Sequence, residues 1–481
     1  MPVDHRPVDY HDFIVPGLDV LIGDPSIIDP MPDDKKRAEI FYIPENYIYR
    51  VIDFYNEQSG RGDSCREITR RFGIILETMR ELEEDTFVMD NGTIITFVQT
   101  DNFRFSMGLD YRSSKSHAIA AAKLVSEEVD PNYLAIMTGS DQLSTLAALY
   151  RIDVAHINPD VYTGRRKVKL PCECSNLWFS NKRISPDEWK DCFPRQDPLR
   201  PNEFVEFVFD DFSGRDYGFS RIGRFDASED ALIPLRNTYF KNPSFSSIRP
   251  RTVSQAMLLE ALLAPPEEVP IVIVSGVFGT GKTFLSTAAG YYGVTESGEY
   301  ERIFICPRDG ALGKEIGFVP GDAIEKTMVK AKPIADNMRE ILRLTVPPEK
   351  LKDKGSMKNA SACRDCLDRH VGEVLDSYFE YESIIYMGGR SISNSFIILD
   401  EFQDTERYQA RALLSRIGNG SKIVVSGDPT QITNPHLNRT SNGLSYSASR
   451  LAGKPEAIIV TLNENEIVRS VAAQAIANYL K

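Results

Sequence analysis

Eight consecutive residues carry the densest chemistry in this chain: Gly276, Val277, Phe278, Gly279, Thr280, Gly281, Lys282 and Thr283. They fit the spacing Gly-x-x-x-x-Gly-Lys-Thr, which suits a polyphosphate. Glycines let successive backbone N–H groups turn inward around phosphate oxygens. The lysine reaches the β- and γ-phosphates, and the threonine hydroxyl is a hard oxygen ligand for Mg²⁺. Asp400 and Glu401 form the second group. Asp400 is suited to holding Mg²⁺ through water, and Glu401 to orienting and polarising an attacking water. Gln431 closes the phrase Gly427-Asp428-Pro429-Thr430-Gln431, where an amide can sense a γ-phosphate. Arg469 is placed to act as an arginine sensor or finger on the transferred phosphoryl group. Gln255, about twenty residues ahead of the phosphate loop, offers a two-sided amide for an adenine edge. The ligand these residues imply is a nucleoside triphosphate, with ATP and Mg²⁺ expected.

Such residues act together only if the fold delivers them to one edge. Ile271 to Val274 is a β-branched run of the kind found in buried parallel strands. Phe284, Leu285, Ala288 and Ala289 follow at helical spacing, so the loop lies between a strand and a helix N-terminus whose dipole favours anions. Further apolar runs cover Arg302 to Cys306, Phe396 to Leu399, Lys422 to Ser426 and Ala457 to Thr461. Five strands with helices between them predict a RecA-like parallel sheet, with ligands at the strands' C-terminal ends. Ala256 to Leu263 reads as a short helix ahead of the first strand. From Asp322 to about residue 380 lie charged helical stretches without a strong core pattern. They read equally as an insert touching a polyanion and as a solvated one.

The chain has 481 residues, which favours two or three domains. The net charge of −13 excludes a generally basic nucleic-acid coat but leaves room for a local basic groove. No apolar run approaches membrane-spanning length, and the polar N-terminus lacks an apolar signal core, so a cytoplasmic protein with no membrane contact is expected. Seven scattered cysteines imply reduced thiols rather than a disulfide frame. Cys172, Cys174, Cys363 and Cys366 are a candidate zinc set, weighed against isolated thiols.

Residues 1–162 alternate strands and helices as one α/β domain. Strands are expected at Phe13 to Val15, Phe41 to Pro44, Ile94 to Val98 and Tyr133 to Met137. Helical spacing covers Cys65 to Leu82 and Ser116 to Ser126. Residues 163–248 are richer in turns and aromatics and read as a small β-rich module, with Phe204 to Phe209 as one strand. Arg165, Arg166, Lys167 and Lys169 open it as a charge run, read first as solvated and second as a nucleic-acid contact. Residues 249–481 hold the nucleotide-binding core.

The first domain, with Asp19 near its start and Met137-Thr-Gly-Ser-Asp141 late, resembles a PIN nuclease domain, a family that uses about four carboxylates to hold divalent metal. Aligned on Asp24-Pro25, the family's first carboxylate falls on Gly17, its glutamate near Arg50 and a further aspartate near Ser114 or Ser116. Two readings follow: a rearranged metal site on Asp19 and Asp141, or a PIN-like scaffold that does not cut. The substituted carboxylates favour the second.

The C-terminal region resembles the PhoH family of P-loop ATPases. The phrases that carry this likeness are Gly276 to Thr283, Pro307-Arg308 through Gly317 to Asp322, Tyr386 to Arg390, Phe396 to Asp404, Ser415 to Gly418, Ser426 to Gln431 and Val468-Arg469. With the PIN-like start, Pro201 to Val205 and Arg249 to Gln255, the whole chain is similar to PIN-domain/PhoH fusion proteins. The resemblance implies ATP- and Mg²⁺-dependent RNA helicase activity coupled to ribonuclease, single-stranded RNA as partner, and a homo-oligomeric ring, a hexamer. Gly388 and Phe278 depart from the family's arginine and alanine. Set against this are an ATPase switch acting on a protein partner, and a metal-dependent endoribonuclease to which ATP only feeds substrate.

Overall fold

The computed structural model describes residues 13–23, 38, 40–56, 62–89, 92–101, 103–105, 109–138, 140–156, 163–170, 174, 177–181, 183–193, 198–209, 218–236, 247–306, 323–346, 360–381, 391–434, 437, 439 and 442–463. Pro307 to Asp322, Tyr386 to Arg390, Arg469, Asp24-Pro25 and Cys172 lie outside them, as do the side chains of Asp141 and Cys363. The chain divides into two units, Met1–Asp160 with Asn434–Asn442, and Val161–Thr433 with Gly443–Lys481.

The first unit is built on six strands: β1 (Phe13–Pro16), β2 (Ile40–Pro44), β3 (Thr86–Val88), β4 (Ile94–Val98), β5 (Leu134–Thr138) and β6 (Asp153–His156). Their order is β3-β4-β2-β1-β5-β6, and all neighbours are parallel except β3 against β4. The apolar faces of helices Gly62–Leu82 and Ser114–Val125 cover it, burying Ile68, Phe72, Ala118 and Ile119 against Ile14, Phe41 and Ile136. The stretch after β1 is a helix, Leu18–Gly23, whose first turn carries Asp19.

The second unit begins with four strands, β7 (Arg165–Leu170), β8 (Phe204–Phe209), β9 (Ile222–Asp226) and β10 (Ala231–Pro234), in the order β10-β9-β8-β7. Trp178, Trp189, Phe193 and Phe207 fill its own small core. The basic run at its start is neither solvated nor open to a polyanion at its first two positions. Parallel register sets Arg165 and Arg166 beside Phe204 and Val205, within reach of two buried carboxylates. Arg165 pairs with Glu206, and Arg166 pairs with Glu203 at 2.7 Å. The cysteine expectation is corrected here too: Cys174 and Cys192 form a disulfide. Packing of both against the tryptophan cluster brings together residues that look scattered in sequence. Cys174 is therefore not available to a zinc set.

The phrase Pro201 to Val205 has a mechanical explanation. Asn202 adopts φ +60, a left-handed conformation that asparagine tolerates better than most residues. Its amide donates to the carbonyls of Pro455 (2.8 Å) and Ala457 (3.2 Å) and accepts from buried Arg224 (2.9 Å). Arg224 also pairs with Glu268, and Phe204 joins the main core. The module is thus fixed beneath the large sheet at the N-terminal ends of its strands.

That sheet contains β11 (Ile271–Gly276), β12 (Arg302–Cys306), β13 (Phe379–Tyr381), β14 (Ser395–Leu399), β15 (Lys422–Gly427) and β16 (Ala457–Leu462). Every pairing is parallel, in the order β13-β12-β14-β15-β11-β16. Five strands fall where apolar runs predict them. The sixth, β13, is a three-residue edge strand at the end of helix Ala360–Tyr378, too short for a periodic signal. Both faces are buried, which is why the central strands read as continuous apolar runs.

Candidate nucleotide site

β11, β14 and β15 all end at the same edge, and their register assembles the site. Ser275 lies opposite Gly427, and Leu399 opposite Val425. The next residues along these strands are therefore neighbours: the phosphate loop meets Asp428, and Asp400 meets Ser426.

The loop ends in Gly281 at φ +92, left-handed backbone that glycine adopts without a side-chain penalty, and helix Lys282–Tyr292 starts there. The first-turn N–H groups of that helix are the donors a phosphate uses. Lys282 is 9% exposed, and its ammonium donates to the carbonyls of Gly276 (2.6 Å) and Val277 (3.0 Å). A cation is thus held in the mouth of the loop by weak dipolar partners, which a phosphate's full charge can replace.

The Thr283 hydroxyl donates to Asp400 Oδ2 at 2.7 Å, and the Ser426 hydroxyl donates to Asp400 Oδ1 at 2.6 Å. A carboxylate and a hydroxyl in direct contact at the strand ends form a hard oxygen pair, which fits Mg²⁺ held with several of its waters. Thr283 and Asp400 are the residues that would hold it. Glu401 is exposed and sits at φ +55, uncommon for a residue with a side chain and typical of functional sites. Its Oε2 accepts from Gln403 Nε2 at 2.6 Å.

Gln431 lies in the same cluster, its backbone N–H donating to the Asp428 carbonyl at 3.0 Å. Gln255 is buried and tied to the protein at both ends. Its Nε2 donates to the Thr280 carbonyl at 2.9 Å, and its Oε1 accepts from Arg251 N at 2.8 Å. The structure thus makes it a brace under the phosphate loop, a task that sequence spacing does not reveal.

Three residues without an assigned role in the sequence stand at the centre of the site. Ser426 anchors Asp400. Asp428 accepts from the phosphate-loop N–H of Phe278 at 3.0 Å through Oδ2, and from Thr430 N and Oγ1 through Oδ1. Gln403 is fully buried. The available signal was polar residues at the ends of apolar strands, where a parallel sheet presents its ligands.

In the first unit, Asp19 accepts from the Thr138 hydroxyl at 3.0 and 3.1 Å. Burial, with the Asp19 charge second, pushes the phenol of fully buried Tyr47 above its usual range. A side chain at Gly17 would have its Cβ 2.4 Å from Asp19 Oδ1, so no carboxylate fits there beside Asp19 as it stands. Arg50 donates to the Arg112 carbonyl, and Ser116 accepts from Asp110 N at 3.0 Å. Asp141 opens helix Asp141–Leu149 behind the N-cap Ser140.

A phosphate loop between a parallel strand and a helix, facing an Asp-Glu pair two strands away, defines a P-loop nucleotide-binding core. Residues 247–481 match the family model described as PhoH-like protein. The chain is 32% identical over 341 residues to Protein PhoH2 of Bacillus subtilis, covering 71% of this chain and 69% of that one. It is 27% identical over 229 residues to the Bacillus subtilis PhoH-like protein, 62% of whose length it spans. With Protein PhoH2 of Thermobispora bispora it shares 29% identity over 235 residues, 48% of that protein's length. The chain belongs to the PhoH family.

Proposed function

We propose that this protein is an ATP- and Mg²⁺-dependent RNA-remodelling ATPase, a helicase carrying a PIN-like domain that does not cut RNA. The observation that carries the ATPase reading is the hydrogen-bonded set Thr283–Asp400–Ser426 facing Lys282 and Glu401. Lys282 binds the β- and γ-phosphates, Glu401 orients the attacking water, and Gln431 reads the γ-phosphate. Thr283 and Asp400 would hold Mg²⁺, which would supply neutralisation of phosphate charge.

An RNA partner is supported by a basic, aromatic surface beside this site. Helices Arg407–Leu414 and Gly443–Leu451 pack together. Arg407 and Arg450 both lie over the Tyr446 ring, at 5.3 and 5.9 Å, while Tyr408 is 41% exposed and Arg411 is exposed beside it. The exposed guanidinium groups of Arg411 and Arg450 for phosphates and exposed Tyr408 for a base suit a single strand. This concentration of positive charge contrasts with a chain of net charge −13.

The PIN-like reading is supported by the strand order β4-β2-β1-β5-β6, all parallel. Loss of cutting is supported by Gly17, Arg50 and Ser116, which fill structural roles where that family has carboxylates. A homo-hexameric ring in which Arg469 reaches the neighbouring subunit's site completes the reading. Mixing Arg469→Ala with Lys282→Ala subunits then restores part of the activity, and no rescue at any ratio argues for a role within one subunit.

The acidic whole-chain balance favours a second reading, an ATPase switch acting on a protein partner. Steady-state ATP hydrolysis with and without single-stranded RNA decides between them. Stimulation that is lost in Arg411→Ala/Arg450→Ala supports the RNA reading, and turnover indifferent to RNA supports the switch.

A further inference from the structure

Gln403 lies between Glu401 and the stretch Asp428 to Gln431. It is fully buried in a three-residue helical turn, Phe402–Asp404, two residues past Glu401. Its Nε2 donates to Glu401 Oε2 at 2.6 Å and, more weakly, to the Gln431 carbonyl at 3.5 Å. Its Oε1 accepts from the backbone N–H of Asp428 at 3.0 Å. Asp428, 3% exposed, accepts in turn from the Phe278 N–H within the phosphate loop. One carboxamide thus joins the water-orienting glutamate to the sensor loop, and through Asp428 to the backbone that cradles phosphate.

Space has been left for this contact. A Cβ built on Gly427 would stand 2.3 Å from Gln403 Oε1 and 3.1 Å from a Leu444 methyl. Gly427 has no left-handed φ, so its glycine is required by the amide lying over the strand end rather than by backbone conformation. A buried side chain with both ends hydrogen-bonded has one orientation available to it, because leaving either end unpaired is costly. Glu401, by contrast, is exposed, and its Oε2 accepts from Gln403.

We propose that Gln403 is a positioning residue that registers Glu401 against the phosphate loop, so that nucleotide seated in the loop and the carboxylate that aligns water are held by one rigid link. This rests on the ATPase reading above. The link runs from the Phe278 N–H through Asp428 and Gln403 to Glu401. Gln403 is fully buried and acts through Glu401.

The test is a double-mutant cycle between Gln403 and Glu401, read in kcat and KM for Mg-ATP and in binding of a fluorescent ATP analogue. Gln403→Met keeps the volume and removes the hydrogen bonds at both ends of the side chain. It is expected to lower kcat by about 10- to 100-fold, the scale of a misplaced catalytic group, while KM and analogue binding stay within about 3-fold. On a Glu401→Gln background the same change is expected to add less than about 2-fold, because the residue it positions is already disabled. Gly427→Ala, which displaces the amide without touching it chemically, should reproduce the kcat loss. Should the Met variant fail to fold, Gly427→Ala carries the test, because it leaves Gln403 itself in place and crowds its Oε1. Unchanged kcat in these variants, a KM rise matching the kcat loss, or fully multiplicative losses in the double variant would overturn the proposal. A wild-type protein that hydrolyses no ATP would instead remove the reading beneath it.

Discussion

Lys422 opens β15 and is fully buried, with its ammonium donating to the Ala261 carbonyl at 3.0 Å. Burial pushes its pKa down to about 7, against the attraction of Glu299, Glu268 and Glu267, and Arg224 adds to the depression. In the unfolded chain the group returns to its ordinary value of 10.5. Between those two values the unfolded state binds more protons than the folded one. Stability therefore rises with pH across that window, by at most about 1.4 kcal/mol per unit, and falls again as pH drops towards 7. Integrated from pH 7 to pH 9, the gain is about 2 kcal/mol. Lys422→Met keeps an unbranched stem and removes the titration. The chain's two tryptophans, Trp178 and Trp189, are buried in the same unit as Lys422, so urea unfolding followed by tryptophan fluorescence reports on that unit. The unfolding free energy of the wild type minus that of Lys422→Met should grow by about 2 kcal/mol from pH 7 to pH 9. Taking the difference cancels the raised tyrosines, which both proteins share. Parallel profiles across this range would refute the assignment of a neutralised lysine under the sheet.

Other outcomes follow from the same geometry. Lys282→Ala should abolish turnover and weaken nucleotide binding, measured by analogue titration; normal hydrolysis would sink the site assignment. Asn202→Ala should cost about 3 kcal/mol in the tryptophan-reported transition, from lost buried hydrogen bonds and a left-handed backbone. Asn202→Gly, free of the backbone term, should cost about 1 kcal/mol less. Reducing the Cys174–Cys192 disulfide, whose cysteines lie 18 residues apart, should lower the same transition by about 3 kcal/mol if loop entropy governs it, and an unchanged midpoint would argue otherwise.

The parts of the fold legible in sequence were those whose physics is local. β-Branched runs mark β11, β14, β15 and β16 because a strand buried on both faces takes mostly apolar side chains. The phosphate loop is legible because its glycines and lysine are contiguous. Gln403, Ser426 and Asp428 were visible as residues but not as a unit, because strand register brings them together and register is a property of the sheet. Arg165 and Arg166 look like a surface run because their carboxylate partners lie about forty positions away. Cys174 and Cys192 lie in the connection from β7 to β8 and pack against the core of Trp178 and Trp189, a tertiary arrangement with no local signal. Edge strand β13, with three residues, has no period to detect.

Under the proposed ATPase function, Glu401 is the residue that aligns water for hydrolysis. The decisive measurement pairs analogue binding with steady-state Mg-ATP hydrolysis for wild type and Glu401→Gln. The variant should bind nucleotide as the wild type does and hydrolyse ATP at least about 100-fold more slowly. Equal turnover in the two proteins would contradict this role.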